Sequence, residues 1–146
     1  MKIRSVRILA LALLISLSLG CHRSGTWSDD AKNWRRAFDE SRPADGITVV
    51  HSWYKRTPHW TAEYAWFFEL QLGGKMKSQI VTNSDFTKLP AFSQEDLRLR
   101  IYSDRPKWFA PEPLSAYDAY ESKTQLGFLI FIEKSGDRSF WTRYQL

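Results

Sequence analysis

The 146-residue chain has one cysteine, three histidines and two methionines. A single thiol leaves no internal disulfide available, so the fold must rest on a packed core. A metal centre needs several imidazole, thiolate or carboxylate ligands converging on one ion, and His22, His51 and His59 lack the i, i+4 spacing of helical zinc motifs. We therefore expect no metal site and no cofactor. Gly-x-Ser-x-Gly elbows, glycine-rich phosphate loops and a recognisable Ser-His-Asp order are also missing, so no motif nominates a catalytic residue. The uncharged apolar run from Ile8 to Leu19 is too short for a settled membrane span. At about 1.5 Å per residue it covers about 18 Å as a helix, against a hydrocarbon core of about 30 Å.

What that run does fit is a leader. Lys2, Arg4 and Arg7 precede it, and a small residue followed by Cys21 ends it, which is the layout of a secretory signal. The closing residues Leu17-Ser18-Leu19-Gly20-Cys21 resemble the lipobox of bacterial lipoproteins, with Ser18 where that family prefers leucine. The resemblance is confined to this segment. It implies a signal peptide over residues 1–20, lipidation of Cys21 as the new N-terminus, a lipidated tether over 21–26 and attachment to the membrane through that lipid. Ser18-Leu19-Gly20 also suits ordinary signal peptidase, which would cut the same bond and leave a plainly secreted protein; an uncleaved leader is a third reading. The only cysteine stands where lipidation needs it, and a lone exported thiol would otherwise be reactive, so the lipoprotein reading leads. The implied location is the bacterial cell envelope. His22, where the family uses Asp for inner-membrane retention, favours the outer membrane in a cell that has one.

The leader holds three of the 21 basic residues and none of the 16 acidic ones, so its removal lowers the net charge from +5 to +2. No basic face of the kind that binds nucleic acid is visible, and that class of partner is set aside. All 22 aromatics, seven Trp, six Tyr and nine Phe, lie after the leader. Burying one large aromatic removes about 150–250 Å² from water, worth roughly 4–6 kcal/mol as an upper bound. About ten would suffice for the core of one domain, which leaves some free to serve a contact surface.

Periodicity predicts a single α+β domain over residues 27–146, an N-terminal helix packed on an antiparallel sheet of about five or six strands. Trp27, Ala31, Trp34 and Phe38 recur at helical spacing, with Ser28 as the cap and Pro43 and Gly46 beyond the end. Ile47–Arg56 and Thr61–Leu72 read as a β-hairpin turning at Thr57-Pro58-His59. Lys55 opposite Trp60 would pair Ile47 with Phe68, Val49 with Trp66, His51 with Tyr64 and Trp53 with Ala62, leaving Glu63, Glu69 and Gln71 on a solvated face. Lys75–Thr82 reads as a weaker strand, Asn83–Gln94 as irregular, and Leu97, Leu99 and Ile101 as a further strand, although Ser93 also offers a helix start. Three prolines interrupt Asp104–Pro113, a short helix runs through Leu114, Tyr117 and Tyr120, and Gly127–Ile132 with Ser139–Gln145 form a last hairpin around Ser135-Gly136-Asp137.

Acid-base chemistry has three candidates, His51, Glu63 and Glu69, all on the first hairpin. That register points the histidine and the glutamates to opposite faces, which argues against a shared site. The most suggestive surface is Trp108-Phe109, held between prolines that restrict the backbone and reduce the entropy lost on binding. The pair is a candidate binding surface for a sugar face or a partner groove; its alternative role is a plug over an open end of the core. The reading that follows is a non-enzymatic binding or assembly module of the cell envelope, with an envelope protein or glycan as partner. A small cell-wall-acting enzyme and a purely structural component are the alternatives.

Overall fold

The computed structural model describes residues 24–58, 63–90 and 92–145. The expected signal peptide, Cys21 and His22 lie outside the described residues, as do His59, Trp60 and Ala62 of the expected hairpin. Among the described residues there are seven strands: β1 (Gly25–Ser28), β2 (Ile47–Arg56), β3 (Tyr64–Leu72), β4 (Phe86–Lys88), β5 (Tyr117–Ser122), β6 (Leu129–Glu133) and β7 (Arg138–Gln145). Three short helices, α1 (Asn33–Phe38), α2 (Gly74–Thr82) and α3 (Gln94–Arg100), and a 3-10 turn at Leu114–Ala116 complete the α+β fold. The strands form one sheet in the order β1-β2-β3-β7-β6-β5-β4, every neighbouring pair antiparallel. The sheet thus has seven strands where five or six were expected, and among the described residues a strand, not a helix, comes first.

The expected N-terminal helix fails because the backbone turns at Asp29. Its φ of 49° is left-handed, its N–H donates to the Ser52 carbonyl at 2.7 Å, and its Oδ1 accepts from the Ser52 N–H at 2.9 Å. Trp27 is therefore a strand residue opposite Tyr54, with the Arg36 guanidinium 4.5 Å above its ring. The helix starts later, and Trp34 and Phe38, four residues apart, with Ala37 beside them, reach the core from it. Asn33, fully buried, fastens it to the sheet by donating to the Trp27 carbonyl at 3.0 Å and the Ser52 hydroxyl at 3.1 Å, while accepting from Arg36 at 2.7 Å.

The register of the first hairpin is shifted by four residues from the expected one. Ile47 meets Leu72 and Arg56 meets Tyr64, so the connection runs over 57–63. A bulge between Val49 and His51 then shifts the pairing by one more residue, which sends the second half of β2 to the other face. Ile47 and Val49 join Tyr54, Trp66, Phe68, Leu70 and Leu72 on a first core. Trp53 joins Ala65, Phe67, Leu129, Phe131 and Phe140 on a second. Both faces of the sheet are buried, in place of the single wet face expected; Phe67, which shares its face with Glu69, has no exposed area.

Three more segments depart from expectation for local reasons. Lys75–Thr82 is helical because Met76 and Ile80, four apart, pack together on the first core. Leu97–Arg100 is helical because Ser93 and Asp96 form a reciprocal capping box and Leu97 and Ile101, four apart, seat on the second core, leaving Leu99 exposed. Tyr117 and Tyr120, three apart, point to opposite faces of a strand, Tyr117 into the second core and Tyr120 into the first, so the expected helix shrinks to its first turn. Within the irregular stretch, Phe86–Lys88 pairs with β5 as an edge strand.

Candidate functional site around His51

The bulge decides what His51 meets. It stands opposite Glu69 on the second face, so the histidine and this glutamate share a side of the sheet, contrary to the expected register. The two do not join. Glu69, 8% exposed, accepts from Arg138 Nε at 2.7 Å, and the Arg138 guanidinium lies 4.7 Å above the Phe140 ring. Burial disfavours the charge on Arg138, but the hydrogen bond and charge of Glu69 outweigh it and hold its ionisation above the usual arginine range. Burial also raises the Tyr117 phenol beside this pair, partly offset by Arg138, so Tyr117 remains a neutral hydroxyl.

His51 turns instead toward the edge and the proline-rich loop. Its Nδ1 lies 3.3 Å from the Asp29 carboxylate, and its ring stacks on Trp108 at 5.3 Å with an interplanar angle of 24°. Trp108 is half-buried, so indole and imidazole form a flat ledge with an accessible side. Phe109, 1% exposed, turns inward to meet Phe67, Phe131 and Phe140 edge-on at 4.8–6.4 Å. The two loop aromatics therefore divide their roles, Phe109 sealing the core and Trp108 packing half-buried at its margin.

Glu63 is remote from this cluster. It sits beside Tyr64 at the far end of the hairpin, where its Oε2 accepts from the Thr57 hydroxyl at 3.1 Å. Among the described residues no group of three or more His, Cys, Asp or Glu is placed to hold a metal ion, and no helix is long and apolar enough to cross a membrane.

Sequence reasoning missed Asp29, Arg138 and Tyr117. Asp29 and His51 are 22 residues apart and Glu69 and Arg138 are 69 apart, joined only by the sheet register. The one available signal was opposite charge on two strands that could be neighbours. No protein-family model, curated protein or solved structure matches this chain. Function therefore has to be read from the residues.

Proposed function

We propose that this chain is an exported bacterial lipoprotein, held at the cell envelope by acyl chains on Cys21, whose domain is a non-enzymatic binding or assembly module. The observation that carries the module reading is the engagement of the acid-base candidates. Glu69 is spent on Arg138, His51 is held between Asp29 and Trp108, and Glu63 lies at another end of the sheet. What remains accessible is the outer side of the His51–Trp108 ledge, suited to stacking on a sugar ring or packing against a partner protein of the envelope. The address is supported by the lipobox-like segment and by the sole cysteine at its end. Only three residues lie between Cys21 and the start of β1 at Gly25, so a tether of four Cα steps reaches about 14 Å at most and keeps the domain beside the bilayer. Outer-membrane placement is favoured in a cell with two membranes.

Intact-mass analysis of the membrane-extracted protein tests the address. Loss of residues 1–20 and an acyl mass on Cys21 are expected, with Cys21→Ser leaving the membrane fraction. An uncleaved mass, or Cys21→Ser remaining on the membrane to the same extent, overturns it. The Asp29–His51 pair also favours a second reading, an exposed acid-base dyad. Peptidoglycan hydrolysis by the purified protein that disappears in His51→Ala would replace the binding module with that enzyme.

A further inference from the structure

β1 covers only part of its neighbour. The ladder runs from Gly25 opposite Arg56 to Ser28 opposite Trp53, and the Asp29–Ser52 hydrogen bonds close it. The left-handed turn at Asp29 then carries the chain away. From Ile47 to His51, β2 pairs with β3 on one side and, among the described residues, with no strand on the other. Apart from the Ile47 N–H, which donates to the Ala44 carbonyl at 3.1 Å, such an edge offers unpaired backbone groups to an extended chain. Thr48 and Val50 along it are exposed. A groove of about 470 Å³ follows these residues, lined beside them by Trp34, Phe68 and Pro43 and by Asp29 and Asp30. Trp34 adds a second indication, because its buried indole N–H has no acceptor.

We propose that this edge is the docking site of an extended peptide with a basic N-terminal end, which joins the sheet as a strand in line with β1. The inference deepens the binding-module reading and rests on it. Direction follows from topology. A strand that continues the β1 ladder along β2 runs the way β1 runs, antiparallel to β2 like every other pair in the sheet, so its first residue abuts Asp29 and its last reaches Ile47. The peptide's N-terminal end therefore meets two carboxylates. Asp29 is 54% exposed and is met by His51 and by no lysine or arginine among the described residues; Asp30 is paired with Arg36 at 3.0 Å. A positive N-terminus or a leading Lys or Arg complements them. At about 3.4 Å per residue the uncovered stretch takes about five residues, whose alternate side chains fall beside Trp34 and Phe68.

Hydrogen exchange read by mass spectrometry on the detergent-extracted full protein tests this. The probe is the peptide Lys-Thr-Val-Thr-Val-Thr with a free N-terminus, and its counterpart is the acetylated peptide with Glu in place of Lys. At millimolar concentration the lysine peptide is expected to slow exchange over 47–52 about fivefold or more while β5 is unchanged, and the glutamate peptide to have little effect. Asp30→Asn should weaken the response to the lysine peptide. No slowing over 47–52 overturns the site, and equal slowing by both peptides overturns the charge argument. Protection of 47–52 without peptide, accompanied by dimers in sedimentation, assigns the edge to a second copy and overturns the peptide. Acylation of Cys21 is read separately by mass, so an acylated protein with no edge response refutes this site and leaves the envelope address standing. An edge response in a protein that is not acylated does the reverse.

Discussion

The two faces of the sheet are closed by different means. On the first, α1 and α2 lay Trp34, Phe38, Met76 and Ile80 across the strands, and each helix has its own polar fastening. Asn33 holds α1, and the Lys77 ammonium holds α2 by donating to the carbonyls of Glu133, Gly136 and Lys134 at 2.6, 3.0 and 3.3 Å. On the second face, α3 shares the cover with the proline-interrupted segment leading to Leu114, whose backbone is held by tight turns such as Phe109 N–H to Pro106 O at 3.0 Å and Ala110 N–H to Trp108 O at 2.9 Å. A helix satisfies its own backbone and spreads its attachment over several side chains. An irregular lid has fewer ways to hold itself, and here it depends most on Phe109, its one fully buried aromatic, with Tyr102, Trp108 and Leu114 half-buried beside the same core.

The largest effect follows from that dependence. Phe109→Ala removes a fully buried ring from among Phe67, Phe131 and Phe140 and should cost about 3–5 kcal/mol in urea unfolding. Trp108→Ala, one residue away on the half-buried ledge, should cost about 1 kcal/mol or less. Equal losses at the two positions would mean that the loop does not use Phe109 as its anchor.

On the first face the matching test is Asn33→Ala. It leaves the Trp27 carbonyl and the Ser52 hydroxyl without the amide that joins them, at a cost of about 1–3 kcal/mol. Because the lost bonds tie α1 to β1 and β2, amide exchange should accelerate over Gly25–Ser28 and Asn33–Phe38 while β6 keeps its protection. Uniform acceleration over both faces would erase the distinction between a distributed closure and a single plug.

The same contrast explains what was legible in the sequence. β2, β3 and the β6–β7 hairpin were visible because each is a run of β-branched and aromatic residues bounded by turn residues. Of the short helices, only α1 was, as the second half of a longer expected one. In seven- and nine-residue segments, Leu97, Leu99 and Ile101 satisfy a strand period through all three and a helix period through the first and last, and only the Ser93 cap breaks the tie. The bulge at Val50 left no trace, since each half of β2 alternates consistently by itself. Missing it reversed the side on which His51 sits and hid its proximity to Glu69. Of the candidate site, the sequence showed the aromatic loop and the histidine; the carboxylate and guanidinium partners depend on register.

The smallest effect concerns the cap that the alternation obscured. Ser93 Oγ accepts from the Asp96 N–H at 3.1 Å and donates to Asp96 Oδ2 at 2.6 Å, while the Ser93 N–H donates to the same oxygen at 2.9 Å. The Ser93 hydroxyl first, and then its backbone N–H, hold the Asp96 carboxyl below its ordinary range. A carboxyl lowered in the folded state adds stability above its unfolded value and loses it as pH falls through the folded one. At neutral pH, Ser93→Ala should lower the thermal midpoint by about 3–6 °C, the scale of one lost N-cap in a domain of this size. On acidification below the ordinary Asp value of about 3.9 the difference between wild type and variant should shrink, because the protonated carboxyl no longer accepts in the box. A midpoint difference that stays constant from neutral to strongly acidic pH would show that the Ser93 hydroxyl caps α3 through the Asp96 backbone N–H and not through the Asp96 carboxylate.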